Sequence, residues 1–157
     1  METLINHGAF IHTKDGDNDT ALTNAACAAD EECVRYLLEQ GLDVQHIGDW
    51  GGALYRAIES EALDCVNTLL EYCVDVNQKG GALHTPLQMA AYQGDVEPVE
   101  RFCNHSADIN AVGGKYHTAL NSEYPTNNSH LEQSEYRLRH NIRQHPRKRK
   151  LPEIPLR

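Results

Sequence analysis

Apolar positions recur along this chain with a fixed period. Leu22, Leu54, Leu87 and Leu120 stand 32, 33 and 33 residues apart. Twenty-one residues after each of the first three comes an acidic-aliphatic pair, Asp43-Val44, Asp75-Val76 and Asp108-Ile109. Each block holds two short runs with helical spacing. The first run contains a small pair, Ala25-Ala26 and again Ala90-Ala91, which lets a helix approach its neighbours closely. In the second, Val34, Leu37 and Leu38 share one face, as do Val66, Leu69 and Leu70, then Val99, Phe102 and Cys103. These stripes read as core. A period of about 33 residues predicts a solenoid, in which no unit buries its apolar face alone and stacked neighbours build one continuous interior.

The punctuation agrees with two helices per unit. Thr85-Pro86 fits a helix start, because Thr caps orphan amides and Pro is tolerated where no intrahelical donor is needed. Gly8 and Gly41 follow the second helix, where a left-handed residue usually ends it. The later copies place Cys73 and Ser106 there, each expected to cost on the order of 1 kcal/mol if the backbone is unchanged.

In register, the copies are DTALTNAACAADEECVRYLLEQGLDVQ (19–45), GGALYRAIESEALDCVNTLLEYCVDVN (51–77) and HTPLQMAAYQGDVEPVERFCNHSADIN (84–110), with HTALNSEY (117–124) opening a fourth. These resemble ankyrin repeats, whose pattern runs T-P-L-H-x-A-A, then G-x-x-E-x-V-x-x-L-L, then G-A-D-V-N. The His of that pattern is replaced by Thr23, Tyr55, Gln88 and Asn121. The resemblance implies an all-α solenoid of paired antiparallel helices with short β-hairpin fingers, followed by an irregular basic C-terminal tail. Residues 1–18 align with the C-terminal half of a truncated repeat. Residues 19–120 are expected to hold repeats at about 19–50, 51–83 and 84–116 with a fourth starting at 117, and 121–157 are expected to form a degenerate repeat and basic tail, largely disordered. Double-Gly and Tyr-rich spacers such as GGKYHTAL resemble arrays common in filamentous fungi, of which this would be a short or truncated member.

Charge divides where the repeats end. Residues 1–120 carry 6 Lys and Arg against 19 Asp and Glu, net −13, whereas residues 121–157 carry 8 against 4, net +4, together the −9 of the chain. An acidic solenoid repels phosphate backbones, so the repeats are expected to bind no nucleic acid. No stretch reaches the length of a membrane span, and the N-terminus lacks a charged-then-apolar signal region. The expected location is the cytoplasm, extending to the nucleus if the tail directs import.

Candidate chemistry is thin. Cys27, Cys33, Cys65, Cys73 and Cys103 form no C-x-x-C pair, and Cys33 and Cys65 share a repeat position beside the core Val, so packing is the expected role and neither metal nor disulfide. Asp15, Asp17 and Asp19 imitate a calcium loop, but Thr20 and Ala26 occupy the positions needing Gly and Glu; a solvated acidic finger is expected. His84 and His117 precede the helix-starting Thr in two copies without a nucleophile or acid in catalytic spacing. No phosphate-binding Gly-Lys loop and no nucleophile elbow occurs. No enzyme activity and no cofactor is expected.

What the resemblance implies is a monomeric module that binds a protein partner through its fingers and the exposed side of its first helices. By register the fingers carry His46, Asp49, Trp50, Gln78, Lys79, Leu83, Val112, Lys115 and Tyr116, and the first helices offer Asn24, Arg56, Glu59, Met89, Tyr92 and Gln93. Trp50, the single Trp, and Tyr116 are the expected anchors. Downstream, Ser129 to Glu132 has the form of a capping box, and Arg147, Lys148, Arg149 and Lys150 form a basic cluster of the kind used for nuclear import. Two other readings stand beside the adaptor: a detached fragment of a larger fungal array joined to a signalling or nucleotide-triphosphatase module, and a nuclear regulator.

Overall fold

The computed structural model describes residues 10–114, 118 and 119. In this region the chain forms three helix pairs and one small hairpin: α1 (Ala21–Cys27) with α2 (Glu31–Glu39), β1 (Ile47–Gly48) with β2 (Gly51–Gly52), α3 (Ala53–Glu59) with α4 (Leu63–Glu71), and α5 (Pro86–Gln93) with α6 (Val96–Asn104). First helices stack on first helices, α1 on α3 and α3 on α5, and α2 packs against α4. The phased leucines form the seam of this stack: Leu22, Leu54 and Leu87 are all buried, with Ala26, Ala57 and Ala90 beside them at the close approach between helices. Val34, Val66 and Val99 and then Leu37, Leu69 and Phe102 fill the layer from the second helices. Cys65 lies among them, and burial pushes its thiol up to about 11, as a small hydrophobe would be placed.

Every described helix is closed in the same way. A residue just past the last helical position, the first after α5 and the second after the others, turns left-handed, and its N–H and the next one return to carbonyls of the final turn. After the first helices these residues are Ala29 (φ 57°), Glu61 (φ 56°) and Gly94 (φ 75°); after the second they are Gly41 (φ 81°), Cys73 (φ 56°) and Ser106 (φ 66°). Cys73 N–H, for example, reaches the Leu70 carbonyl at 3.2 Å and Val74 N–H the Leu69 carbonyl at 3.4 Å. Cys73 and Ser106 are thus left-handed as the register predicts. Ala29 and Glu61 add the same strain at positions the sequence did not flag.

Helix starts are uneven. Thr20 and Thr85 make reciprocal capping boxes with Thr23 and Gln88, and Asp30 and Asp95 cap α2 and α6. In the middle repeat Gly52 and Ala62 offer no side-chain cap to α3 or α4.

A ladder of side-chain amides sets the rise from one repeat to the next. Gln45 donates to the Cys73 carbonyl at 3.0 Å and accepts from Asp75 N–H at 3.0 Å. Asn77 repeats the step, donating to the Ser106 carbonyl at 3.4 Å and accepting from Asp108 N–H at 2.6 Å. Within each turn Asp43, Asp75 and Asp108 take the N–H two residues on at 2.9, 2.9 and 3.0 Å. The Asp-Val-Asn line of the sequence is therefore a turn plus a bridge.

The fingers stack almost backbone on backbone. A Cβ built on Gly80 would lie 3.1 Å from Gly51 Cα, and one on Gly114 would lie 2.8 Å from the Leu83 carbonyl carbon. Gly81, at φ +69°, covers the Tyr55 ring so closely that a Cβ would come within 2.4 Å of it. The Tyr55 hydroxyl in turn accepts the Leu83 N–H at 3.0 Å. Gln88 reaches the following finger by donating to the carbonyls of Ala111 at 3.4 Å and Gly113 at 3.2 Å. Tyr55 and Gln88, two of the residues standing in for the missing His, thus still tie helix to finger.

Two outcomes test this account. Cys73→Gly relieves a left-handed side chain and raises stability by about 1 kcal/mol, read as a higher urea midpoint; a lower midpoint rejects the turn assignment. Gly81→Ala, facing both a positive φ and the Tyr55 ring, costs about 1–3 kcal/mol. Gly41→Ala, with φ +81° but open space around it, serves as its comparison and loses less; equal losses would show that the ring contact is not what requires glycine.

Candidate protein-interaction surface

The first two fingers make one continuous edge. Lys14 bridges to Thr20, and between them Asp15 gathers the N–H groups of Asp17 and Asp19 at 3.0 and 2.9 Å. Asn24, on α1, donates to the other Asp15 oxygen at 2.9 Å. That bond first, and the backbone bonds after it, hold the Asp15 carboxyl below the usual carboxylate range. In the second finger Ile47 pairs with Gly52 and Gly48 with Gly51, which leaves Asp49 and Trp50 as the tip. Asp49 N–H donates to the Asp17 carbonyl at 3.0 Å, and the His46 ring Nε2 donates to the Asn18 carbonyl at 2.7 Å.

At that tip Trp50 is 57 % exposed and Ile47 projects into solvent near it. Asp49 and Lys79 are exposed as well. Val112, on the finger after that of Lys79, is 67 % exposed. Ile47 escaped the register-based reading; an isoleucine on an otherwise polar, glycine-rich finger was the available signal. The remaining finger candidates Lys115 and Tyr116, and the basic cluster Arg147, Lys148, Arg149 and Lys150, lie outside the described residues.

Along the first helices a polar strip crosses the repeats. Arg56 pairs with Glu59 on its own helix and donates to Cys27 Sγ at 2.8 Å. Ser60 Oγ donates to the Cys27 carbonyl at 2.7 Å, and Gln93 Nε2 donates to the Glu59 carbonyl at 3.2 Å. Arg56 and Gln93 are half-buried and Glu59 is exposed. Tyr92 packs in part against the core.

Four sequence expectations require correction. Register puts Met89 on the open helix surface, but it is only 6 % exposed and joins the core; its flexible thioether fills space where the aligned Arg56 reaches outward instead. Gln78 and Leu83 were read as finger contacts and are buried. Gln78 donates to Gln45 Oε1 at 2.9 Å, and Leu83 sits under the finger stack with its N–H on Tyr55. Asp19 was read as part of a solvated acidic finger; Asp15 and Asp17 are exposed, whereas Asp19 is 4 % exposed.

The five cysteines are free thiols. Among the described residues no group of three or more His, Cys, Asp or Glu side chains gathers as a metal-ligand set, and no helix is long and apolar enough to cross a membrane.

Comparison with known proteins agrees with this architecture. The family model for ankyrin repeats in three copies matches residues 1–80, and the single ankyrin-repeat model matches residues 83–114. The chain is 35 % identical over 114 residues to ankyrin repeat and SOCS box protein 11 of Danio rerio, covering 72 % of this chain and 39 % of that protein. It is 40 % identical over 88 residues to ankyrin repeat and SOCS box protein 5 of Mus musculus, covering 55 % and 26 %. A third relative is the transient receptor potential cation channel subfamily A member 1 homolog of Caenorhabditis elegans, 33 % identical over 111 residues, 69 % of this chain and 9 % of that protein. The chain thus spans well under half the length of these relatives. With helix pairs stacked at the period of the leucines, fingers at the expected places and family models covering residues 1–80 and 83–114, this chain belongs to the ankyrin-repeat family.

Proposed function

We propose that this chain is a non-catalytic adaptor that holds a protein partner across its fingers and the exposed side of its first helices. Ankyrin repeats are protein-interaction modules, and the observation that supports this surface is the tip of the second finger. Trp50 and Ile47 are exposed there on a backbone stacked so tightly that it offers little freedom to lose on binding. Rigid aromatic anchors of this kind dominate interfaces, because they desolvate a large area at small entropic cost. Asp49, Lys79, Arg56, Glu59, Tyr92 and Gln93 supply polar contacts around that anchor, with Lys115 and Tyr116 as further finger positions. The acidic repeats favour a basic partner surface and speed its approach.

The names of two relatives couple ankyrin repeats to a second module in one protein. The same division is proposed here, with the repeats taking one partner and the basic segment 121–157 making a separate contact, of which nuclear import through Arg147 to Lys150 is one form. A second reading makes these repeats a detached fragment of a larger ankyrin-array signalling protein or nucleotide triphosphatase. The relatives reported are animal proteins, and their names carry neither a fungal array nor a nucleotide triphosphatase.

With a partner isolated by affinity purification of the intact chain, Trp50→Ala weakens binding by about 2 kcal/mol or more and Tyr116→Ala does so in the same direction. Added salt slows association. Unchanged affinity in both variants, with circular dichroism intact, moves the interface off the fingers. Separately, residues 134–157 fused to a fluorescent reporter concentrate it in the nucleus, and neutralising Arg147 to Lys150 abolishes that. An evenly distributed reporter removes the import role.

A further inference from the structure

The first finger holds a carboxyl group with no visible reason to be buried. Asp19 Oδ1 is fully enclosed and takes no hydrogen bond. Among the described residues no donor reaches its other oxygen. The bonds of Asp19 are those of its backbone, through its N–H to Asp15 and through its carbonyl to Asp15 N–H. The carboxyl fits only because residue 48 is glycine, since a Cβ there would stand 1.8 Å from Oδ1. The second finger therefore closes over the acid with backbone alone.

The surroundings make this placement costly. Burial is the leading cause that raises the Asp19 carboxyl above its ordinary value, and the charges of Asp15, Asp17 and Asp49 push the same way. Arg56 acts in the opposite direction, but its guanidinium is committed to Glu59 and Cys27. Asp15, the carboxylate whose charge acts most strongly on Asp19, already has its oxygens filled by Asp17, Asp19 and Asn24. The exposed Asp17 and Asp49 both act on the buried acid and are joined by the Asp49 N–H on the Asp17 carbonyl, with Trp50 next in the chain.

We propose that the seam between the first and second fingers receives a lysine or arginine side chain of a protein partner, with Asp19 as its buried acceptor. This rests on the finger surface described above and names the chemistry it reads. An unpaired buried carboxyl destabilises the free protein, and an incoming positive charge turns that penalty into binding. Asp17 and Asp49 attract the cation at the rim. The Trp50 face takes the aliphatic stem, or the guanidinium plane, as it enters. A metal ion is a poorer fit, because no set of three ligating side chains converges among the described residues. A long cationic side chain needs one unpaired acceptor and acidic groups that attract it, and both are present.

Trp50 is the single Trp, so its emission reports this seam directly. The intact chain is titrated with acetylated tetralysine and tetraarginine peptides, with tetraglutamate as the control. The expected result is a saturable change with one or both cationic peptides and none with tetraglutamate. Asp19→Asn weakens that binding tenfold or more, keeps the helical circular dichroism and raises the urea midpoint. Asp64→Asn, the same charge change at an exposed position on α4, alters binding less than twofold. Should Asn disturb the finger, Asp19→Ser gives the same loss with a smaller side chain. Three results overturn the proposal: no response to either cationic peptide, equal weakening by Asp19→Asn and Asp64→Asn, or wild-type binding by Asp19→Asn. In any of them, weakened partner binding by Trp50→Ala still leaves the finger surface standing; failure of that variant alone removes the finger surface and not the peptide site.

Discussion

Burial between neighbouring helix pairs is the interaction on which the rest of this protein depends. A seven-residue helix and a nine-residue helix cannot enclose a core between them, so Leu22, Leu54 and Leu87 are covered only when one pair lies on the next. Ala26, Ala57 and Ala90 make that approach close enough to be dry. Once the pairs are stacked, the turns after the second helices fall into register, and the amides of Gln45 and Asn77 satisfy backbone groups of the following repeat. Hydrophobic contact supplies the attraction, and the amide ladder supplies the spacing.

The same stacking decides what the fingers look like. Fingers brought into backbone contact leave no room for Cβ atoms at Gly80 and Gly114, and the Tyr55 ring leaves none at Gly81, so the ridge is poor in side chains. Recognition capacity then concentrates in the few residues that do project, Trp50 and Ile47 first, with Asp49 and Lys79 beside them. Such a surface binds by a small number of anchors rather than by broad apolar contact.

Stability is given up in identifiable places. Ala29, Glu61, Cys73 and Ser106 occupy left-handed positions that glycine fills without strain. The middle repeat lacks side-chain caps on both helices, and the Asp19 carboxyl is buried with its Oδ1 unpaired. Set against these, Arg35 bridges Glu31 and Glu71 on the second-helix face, and Thr68 donates to Glu31 at 2.8 Å; these partly exposed contacts contribute modestly. The array is therefore held by its core and its ladder more than by its surface.

By itself the sequence determined the period, the two helices per unit, the core stripe and the left-handed ends at Cys73 and Ser106. Each of these follows from local spacing or from a backbone requirement that a few adjacent residues express. The exposed position of Trp50 was legible for the same reason, since a finger lies outside the helical pattern. Only the tertiary structure decided which polar and flexible residues are hidden. Gln78 and Asp19 meet residues of a neighbouring repeat, about one period away, and Met89 joins the core; register assigns a position without saying what is packed over it. The missing His illustrates both halves: its absence was plain in the chain, whereas the way Tyr55 and Gln88 replace it depends on a finger arriving within hydrogen-bonding distance.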